Sequence, residues 1–255
     1  MSRLSKKLRQ MGLYGALPPK TVEECRLPDN TGVETSDPLS KAFNAHGGYR
    51  IWKWHHYLPL YDRYLQPYRD RSAQPVRLLE LGVFKGGSLQ LWREYFGASA
   101  TIFGIDIDQS CQALDGVSGG QVRIGSQTDD EFLRAVVAEA GGIDIVIDDG
   151  SHNAAHMNKS FDILFPLLSD GGLYVVEDLH CAYWRFYGGG YRRRGTFIER
   201  SKQLIDDMHH WWHKRGQGVA AAANRVAGVH FHDSIVFIEK ADRSTRPVCS
   251  EQGNI

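Results

Sequence analysis

The sequence predicts an α/β fold built on a mostly parallel sheet, with helices on both faces and an antiparallel hairpin at the C-terminal end. Between about residues 76 and 176, short apolar segments alternate with helical ones, which is the rhythm of successive β-α-β units. The strand segments are apolar throughout, as in strands buried on both faces. Two later extended segments joined by a tight corner predict the hairpin.

The elements follow in order along the chain. Residues 1–44 mix charges with several prolines and are predicted to form an irregular arm. Aromatic residues recur every three to four positions from about residue 52 to 68, which predicts an amphipathic helix despite Pro59. The same reasoning predicts strands over 76–81, 101–105, 122–124, 143–147, 173–176, 226–232 and 234–239, and helices over 88–95, 130–140, 154–168 and about 196–214.

Length and composition limit the function classes. The chain has 255 residues, enough for one full core, so we expect one catalytic domain over 45–240 and a tail over 241–255. Thirty basic residues balance thirty acidic ones, which predicts no attraction to nucleic acid or an anionic membrane. No apolar segment is long enough for a membrane span or a leader, and the four cysteines lack CxxC spacing. We expect a soluble, cytoplasmic enzyme with a small-molecule partner.

Acidic residues follow two of the predicted strands. Asp149 comes after strand 143–147, and Glu177 and Asp178 come after strand 173–176. The carboxyl ends of parallel strands share one sheet edge, so these side chains can converge there. Converging carboxylates repel unless a cation neutralises them, and Mg²⁺, with Mn²⁺ as a substitute, suits oxygen ligands. His152 lies close enough to act as a base beside this metal site, although any single acidic residue could instead cap a helix.

A glycine-rich turn after the first strand predicts a nucleoside cofactor. Its glycines allow close approach of a ligand to the backbone, although they also serve plain turns. Asp106 ends the second strand, where a carboxylate can accept hydrogen bonds from ribose hydroxyls. The turn lacks G-x-G-x-x-G spacing, and with the hairpin this favours S-adenosylmethionine over NAD. The predicted cofactor-binding residues are Glu80, Gly82, Gly86, Ser88, Asp106, Gly125, Ser126, Gln127 and Asp148, although 125–127 could be a loop without a ligand.

Together these motifs resemble the class I, metal-dependent sugar O-methyltransferase family, which includes mycinamicin deoxysugar and rhamnosyl O-methyltransferases. The resemblance covers about residues 45–240 and implies a Rossmann-like class I methyltransferase sheet. It further implies that Asp149, Glu177 and Asp178 bind Mg²⁺ and that His152 is the general base for a sugar hydroxyl. The residues that carry it are Glu80-Leu81-Gly82, Gly86-Gly87-Ser88, Asp106, Asp148-Asp149-Gly150-Ser151-His152, His156, Phe165-Pro166, Gly171-Gly172 and Val176-Glu177-Asp178-Leu179-His180.

The segment after the second acidic cluster predicts the acceptor side. Residues 181–194 are aromatic, broken by glycines and basic, which is typical of a loop that closes over a substrate. His180, Tyr183 and Trp184 are predicted to contact the acceptor, since aromatic faces pack against sugar rings, although these rings could equally belong to the core. The acceptor is expected to be a glycoside, a saccharide or a nucleotide sugar, and a homo-oligomer remains open.

Other functions stay open on this sequence. A catechol-like phenol also chelates Mg²⁺ through adjacent oxygens and is an alternative acceptor. A non-haem iron hydroxylase would need two histidines and one carboxylate, which His152, His180 and Asp149 could supply. A non-catalytic binding module on the same fold is a third alternative. The surplus of carboxylates favours the methyltransferase.

Overall fold

The computed structural model describes residues 36–69, 74–214 and 225–252. Within these ranges, seven strands form one sheet in the order β3-β2-β1-β4-β5-β7-β6. All neighbouring pairs are parallel except β5 with β7 and β7 with β6. The strands are β1 (Arg77–Leu81), β2 (Thr101–Asp106), β3 (Gln121–Ile124), β4 (Ile143–Asp148), β5 (Leu168–Val176), β6 (Val226–His232) and β7 (Ile235–Lys240).

Helices cover both faces of the sheet and bury its side chains. The described helices are α1 (Pro38–Ala45), α2 (Tyr57–Arg69), α3 (Gly87–Phe96), α4 (Asp130–Glu139), α5 (Ala154–Leu167) and α6 (Phe197–Met208). One core joins α1, α2 and α3 to one face of the sheet, and a second core joins α4, α5 and α6 to the other. Because each central strand is buried on both faces, its sequence is almost continuously apolar. The predicted fold class is confirmed.

The register of the central strands sets the position of the functional residues. Leu81 pairs with Asp148, and Asp148 pairs with Val176. The residues that follow these three, Gly82, Asp149 and Glu177, therefore lie at the same level of the carboxyl edge. Strand order reverses between β1 and β4, and in open α/β sheets ligands bind at this reversal.

Four boundaries differ from the sequence prediction by several residues, and one of them is the start of β5 at Leu168, which was predicted at residue 173. Residues 38–44 are helical and not irregular, because Asp37 caps α1 with its carboxylate and Pro38 suits the first helical position; residues 1–35 lie outside the described part. Helix α2 begins at Tyr57 and not near residue 52, which places Pro59 in the first turn, where it breaks no hydrogen bond. Helix α6 ends at Met208, and a short 3₁₀ turn follows.

No helix in the described ranges has the length and apolarity to cross a bilayer.

An ion pair links β1 and β4 at the opposite edge of the sheet. Asp144 accepts hydrogen bonds from the backbone N (3.0 Å), Nε (3.0 Å) and Nη2 (2.8 Å) of Arg77. Burial alone would raise the pKa of Asp144, but these bonds and the charge of Arg77 outweigh it and lower the pKa. Asp144 therefore stabilises the fold above its unfolded pKa of about 3.9, and the contribution is lost as pH falls through the lower folded value.

We expect Asp144→Asn to lower the free energy of unfolding by about 1–3 kcal/mol at pH 7, because a charge-assisted pair is broken. The difference from wild type should shrink on acidification, and urea denaturation at several pH values would measure it. Asp130→Asn is the matched control, since its exposed pair with Arg134 should contribute less than about 1 kcal/mol. Equal effects of the two substitutions at pH 7 would contradict this assignment.

Candidate active site

The segment 46–56 between α1 and α2, which we call the strap, lies across the carboxyl edge of the sheet. The backbone N of Tyr49 donates to Oε1 of Gln90 in α3 (2.7 Å). A Cβ at Gly87 would overlap the carbonyl oxygens of Tyr49 and Arg50. Glycine at position 87 therefore allows the strap to pass over the start of α3 and reach the strand ends.

Glycine is also required at position 82, the first glycine of the predicted cofactor turn. Gly82 has a φ of +96°, and a Cβ there would overlap the carbonyl oxygen of Asp149. The backbone N of Asp149 donates to the carbonyl of Leu81 (3.0 Å). Gly82 thus lets the loops after β1 and β4 lie against each other at the strand reversal.

Two carboxylates and a histidine converge at this edge. Ligand atoms of Asp149, His152 and Asp178 all lie within 4.8 Å of one another. Nε2 of His152 is 4.0 Å from Oδ1 of Asp149 and 3.7 Å from Oδ2 of Asp178. Their side chains are 24%, 20% and 22% exposed, so all three can reach a ligand.

The backbone holds two of these residues in an unusual conformation. His152 has a φ of +53° and Asp178 a φ of +54°. Non-glycine residues adopt this left-handed region at an energetic cost, and such residues cluster at functional sites. Here the conformation turns both side chains toward Asp149.

Glu177, the third predicted metal ligand, lies outside this group and is more deeply buried. Its Oε1 accepts hydrogen bonds from Nζ of Lys53 (2.5 Å) and from the hydroxyl of Tyr61 (2.6 Å). Nζ of Lys53 also contacts Oδ2 of Asp149 (2.6 Å). The side chains of Lys53 and Glu177 are 1% and 3% exposed. The strap therefore contributes a buried ammonium that bridges two of the predicted metal ligands.

Charge and burial oppose each other around Lys53. Burial alone would lower the pKa of Lys53, but the negative charges of Asp149, Glu177 and Glu80 outweigh it and raise the pKa, so the side chain is an ammonium. Burial and repulsion from Asp149 raise the pKa of Glu177, and Lys53 only partly offsets them. One ammonium thus does not neutralise all the acidic groups, and the site retains affinity for a further positive charge.

Glu80, at the end of β1, completes the surroundings of the ammonium. Its Oε2 accepts a hydrogen bond from the hydroxyl of Ser88 (2.7 Å), and its Oε1 lies 3.8 Å from Nζ of Lys53. Burial raises the pKa of Glu80 to about 7 despite the opposing effect of Lys53. Glu80 and Ser88, both predicted to bind the cofactor, therefore form a pair that joins β1 to α3 beneath the loop.

Asp178 is held by aromatic side chains. Its Oδ1 accepts from Nε1 of Trp54 (3.0 Å) and from the hydroxyl of Tyr57 (3.1 Å). The Tyr57 hydroxyl also bonds the carbonyl of Ser234 in the β6–β7 turn (2.9 Å). These contacts leave Oδ2 facing His152.

Asp106 lies at the end of β2, beside the glycine-rich turn. Its Oδ2 accepts from the backbone N of Val83 (2.9 Å) and of Phe84 (3.0 Å), and its Oδ1 accepts from the backbone N of Asp108 (2.9 Å). A carboxylate has about four acceptor positions, so one remains for a ligand. The rings of Phe84 and Trp52, 50% and 45% exposed, lie 6.0 Å apart and provide aromatic surface for a flat group.

The loop after β3 is hydrogen-bonded to the end of β4 and to the loop that follows it. Nε2 of Gln127 donates to Oδ1 of Asp148 (3.2 Å), and Oε1 of Gln127 accepts from the backbone N of Ser151 (2.8 Å). Ser126 bonds within its own loop to Thr128. Asp148 is 1% exposed and also accepts from Ser160 (2.5 Å). Asp148 and Gln127 therefore fix the loop that presents Asp149. Gly125, the remaining predicted residue here, packs against Phe132, with which a Cβ would overlap.

The predicted acceptor-binding residues lie beyond Asp178. Nδ1 of His180 is hydrogen-bonded to the hydroxyl of Ser234, and its ring packs against Trp54 and Trp184. His180 thus does not join the group formed by Asp149, His152 and Asp178, which removes the arrangement that an iron hydroxylase would need. Tyr183 is half exposed. A cavity of about 440 Å³ lies beside these residues, lined by His180, Tyr183, Ile198, Ile205 and Phe231 among others.

The loop predicted to close over the substrate is internally hydrogen-bonded. Backbone N groups of Gly189 and Gly190 donate to the carbonyls of Trp184 (2.9 Å) and Ala182 (2.8 Å). The Tyr187 ring packs edge-on against His152 at 6.2 Å. The loop therefore forms one wall of the site.

Sequence reasoning did not identify the strap residues of the site. Lys53 and Trp54 fell within the helix predicted from about residue 52. The spacing of Tyr57 and Tyr61 indicated one face of that helix and no role for their hydroxyls. The one available signal was a lysine between two tryptophans in the apolar segment Ile51-Trp52-Lys53-Trp54. A cation there needs a buried acidic partner.

Fold and site together define a class I methyltransferase domain, and comparison with known proteins agrees. A family model described as a methyltransferase domain matches residues 79–179. The MycE methyltransferase of the mycinamycin pathway, solved in complex with Mg, SAH and mycinamycin VI, superposes with a TM-score of 0.68 at 32% identity. The match covers 96% of this chain and 63% of that one.

The chain belongs to the class I sugar O-methyltransferase family that its motifs indicated. It is 38% identical over 226 residues to the 8-demethyl-8-(2-methoxy-alpha-L-rhamnosyl)-tetracenomycin-C 3'-O-methyltransferase of Streptomyces olivaceus, which covers 82% of this chain. It is 35% identical over 229 residues to the mycinamicin VI 2''-O-methyltransferase of Micromonospora griseorubida, which covers 81%. The chain spans 56% and 52% of the lengths of these two relatives.

Proposed function

We propose that this protein is an S-adenosylmethionine- and Mg²⁺-dependent O-methyltransferase acting on a sugar hydroxyl. The observation that carries the proposal is the convergence of Asp149, His152 and Asp178 at the strand reversal. The names of the relatives support an acceptor in which the sugar is attached to a macrolide or a polycyclic aromatic compound. We assign catalysis to residues 45–240 together with α1, which packs into the same core, with 241–255 as a tail, in a cytoplasmic protein.

The donor atoms fit a hard divalent cation. Carboxylate oxygens from Asp149 and Asp178 face one centre. Glu177 lies next to them, with Nζ of Lys53 between its Oε1 and Oδ2 of Asp149. We assign the metal to Asp149, Glu177 and Asp178, because hard divalent ions prefer carboxylate oxygens and these three residues supply them at one sheet edge. When bound, the ion supplies Lewis-acid stabilisation of a sugar oxygen that is losing its proton. Mn²⁺ accepts the same ligands and is expected to substitute.

His152 is positioned to receive that proton. Its Nε2 points toward the two carboxylates, and within the described residues its Nδ1 has no hydrogen-bond partner. Asp149 and Asp178 stabilise the imidazolium that forms when Nε2 accepts the proton. The Tyr187 ring covers one side of His152 and limits access of water to it.

The glycine-rich turn fits the methyl donor. S-adenosylmethionine supplies the methyl group, and this chain's residues have to hold its nucleoside close to the strand reversal. Asp106 retains one acceptor position for a ribose hydroxyl, and the exposed rings of Trp52 and Phe84 suit a flat base. The remaining predicted residues, Gly82, Gly86, Gly125, Ser126 and Gln127, shape the loops around this position.

We expect Asp106→Ala to weaken S-adenosylmethionine binding by about tenfold or more, because a ribose hydroxyl loses its charged acceptor and the turn loses its anchor. Isothermal titration calorimetry would measure the change. The matched control is Asp108→Ala in the same loop, where the side chain caps Ser110 and binding should change less than about threefold. Equal losses in both variants would argue against a ribose contact at Asp106.

Methyl transfer tests the proposed function directly. The protein is incubated with S-adenosylmethionine, Mg²⁺ and a panel of glycosides, saccharides, nucleotide sugars and catechols, and products are analysed by mass spectrometry. We expect a gain of one methyl group on a sugar-containing acceptor and none in EDTA. Transfer to catechols alone, or transfer that persists in EDTA, would overturn the proposal.

A further inference from the structure

Lys53 lies between two of the three predicted metal ligands. Its Nζ lies 2.6 Å from Oδ2 of Asp149, 2.5 Å from Oε1 of Glu177 and 3.8 Å from Oε1 of Glu80. With 1% of its side chain exposed, this ammonium has exchanged water for carboxylates. A buried charge is tolerated only when it is paired in this way.

The strap also holds the third carboxylate. Trp54, the residue after Lys53, donates through Nε1 to Oδ1 of Asp178 (3.0 Å). Two consecutive residues of the strap thus bind all three members of the predicted metal ligand set. The next part of the chain reinforces the arrangement, since Tyr57 bonds Asp178 and Tyr61 bonds Glu177.

An ammonium and a divalent ion compete for these two oxygens, because both are held there by the same negative charge. Oδ2 of Asp149 and Oε1 of Glu177 already have Nζ of Lys53 within 2.6 Å. A second cation on the same atoms would lie next to the first in a site of low dielectric constant, where like charges repel strongly. Binding of the ion to these two atoms is therefore opposed by Lys53, and it favours displacement of the ammonium.

Movement of Lys53 would be transmitted to the cofactor loop. Trp52 packs against Phe84 of the glycine-rich turn, and Tyr49 and Arg50 lie on Gly87. The strap thus connects the carboxylates to the predicted nucleoside site over a short stretch of chain. Displacement of Lys53 is therefore expected to move the strap at the carboxylates and at the predicted nucleoside site.

We propose that Lys53 is an internal counter-ion that competes with the divalent cation for Asp149 and Glu177, so that metal binding releases the strap. The inference rests on the proposed function only in placing a metal at this site. Without metal, Lys53 neutralises part of the carboxylate charge and holds the strap against the sheet edge. With metal, the ammonium leaves, and the strap rearranges next to the cofactor loop.

Metal titration tests the competition. Mn²⁺ binding is measured by isothermal titration calorimetry for wild type, Lys53→Met and Lys53→Arg. We expect Lys53→Met to bind Mn²⁺ about tenfold or more tightly than wild type, because the competing charge is gone while the side chain keeps its length. Lys53→Arg keeps the charge and should stay within a few-fold of wild type. Unchanged or weaker binding by Lys53→Met would overturn the proposal.

A measurement on wild type covers the case in which Lys53→Met does not fold without metal. Amide hydrogen exchange of residues 46–56 is followed with and without saturating Mn²⁺. We expect faster exchange in the strap on metal addition, with α4 unchanged as the internal reference. Strap exchange that slows or stays constant would contradict the release of the strap.

These outcomes separate the two proposals. An equal Mn²⁺ affinity of wild type and Lys53→Met refutes the competition and leaves the proposed function intact. Competition without methyl transfer to any acceptor refutes the proposed function alone. Failure of wild type and Lys53→Met to bind Mn²⁺ refutes both.

Discussion

Replacing Asp149 with Asn is expected to lower kcat/KM for methyl transfer by about three orders of magnitude, equivalent to about 4 kcal/mol of transition-state stabilisation. Asp149 is the residue on which the site converges, since it faces His152, Asp178 and the ammonium of Lys53. An amide cannot supply the negative charge that a divalent ion requires. Mn²⁺ affinity should fall together with activity.

The measurement is steady-state methyl transfer with the acceptor identified by mass spectrometry, alongside Mn²⁺ titration. Asp162→Asn is the matched control, because Asp162 is a half-exposed aspartate paired with Arg200 on the surface, and it should retain wild-type rate and metal affinity. Folding of each variant is checked by circular dichroism. An undiminished kcat/KM of the Asp149→Asn enzyme would show that Asp149 takes no part in the reaction.

Replacing His152 with Asn is expected to lower kcat by about two to four orders of magnitude, the usual contribution of a general base. A sugar hydroxyl is a weak acid, so loss of the proton acceptor is felt strongly. Mn²⁺ affinity should change only a few-fold if His152 acts as a base. If His152 is a metal ligand instead, affinity and activity fall together.

Parallel rate and titration measurements distinguish the two roles. His156→Asn provides the control, since His156 is exposed in the first turn of α5 and is hydrogen-bonded to Ser151. The kcat of this variant should stay near that of wild type. A His152→Asn enzyme with normal kcat would contradict the assignment of the base. A large loss of metal affinity in that variant would show that His152 is a metal ligand.

The sheet was predictable because its strands are locally encoded. Short apolar segments such as Ile143-Asp144-Ile145-Val146-Ile147 are typical of central strands buried on both faces. This segment lies between Gly142 and Asp148. The convergence of Asp149 with Asp178 followed from the same logic, because parallel strands bring their carboxyl ends together. The hairpin that places Ser234 next to Tyr57 and His180 was also predicted.

The strap was not predictable, because its conformation depends on distant partners. Trp54 has the spacing of a helix face with Tyr57 and Tyr61, yet residues 46–56 precede the helix and lie across the sheet edge. Lys53 adopts its position only because Asp149 and Glu177 converge more than ninety residues later in the chain. Charge pairing between remote segments overrides local helical preference here.

The most direct test is the position of a bound metal ion. Crystals of the protein grown with Mn²⁺ and S-adenosylmethionine would be analysed by anomalous diffraction at the manganese edge. The account predicts a single strong peak within about 2.0–2.6 Å of carboxylate oxygens of Asp149 and Asp178, with Nζ of Lys53 displaced from Asp149. A peak elsewhere, or none at the ends of β4 and β5 in crystals of active enzyme, would contradict it.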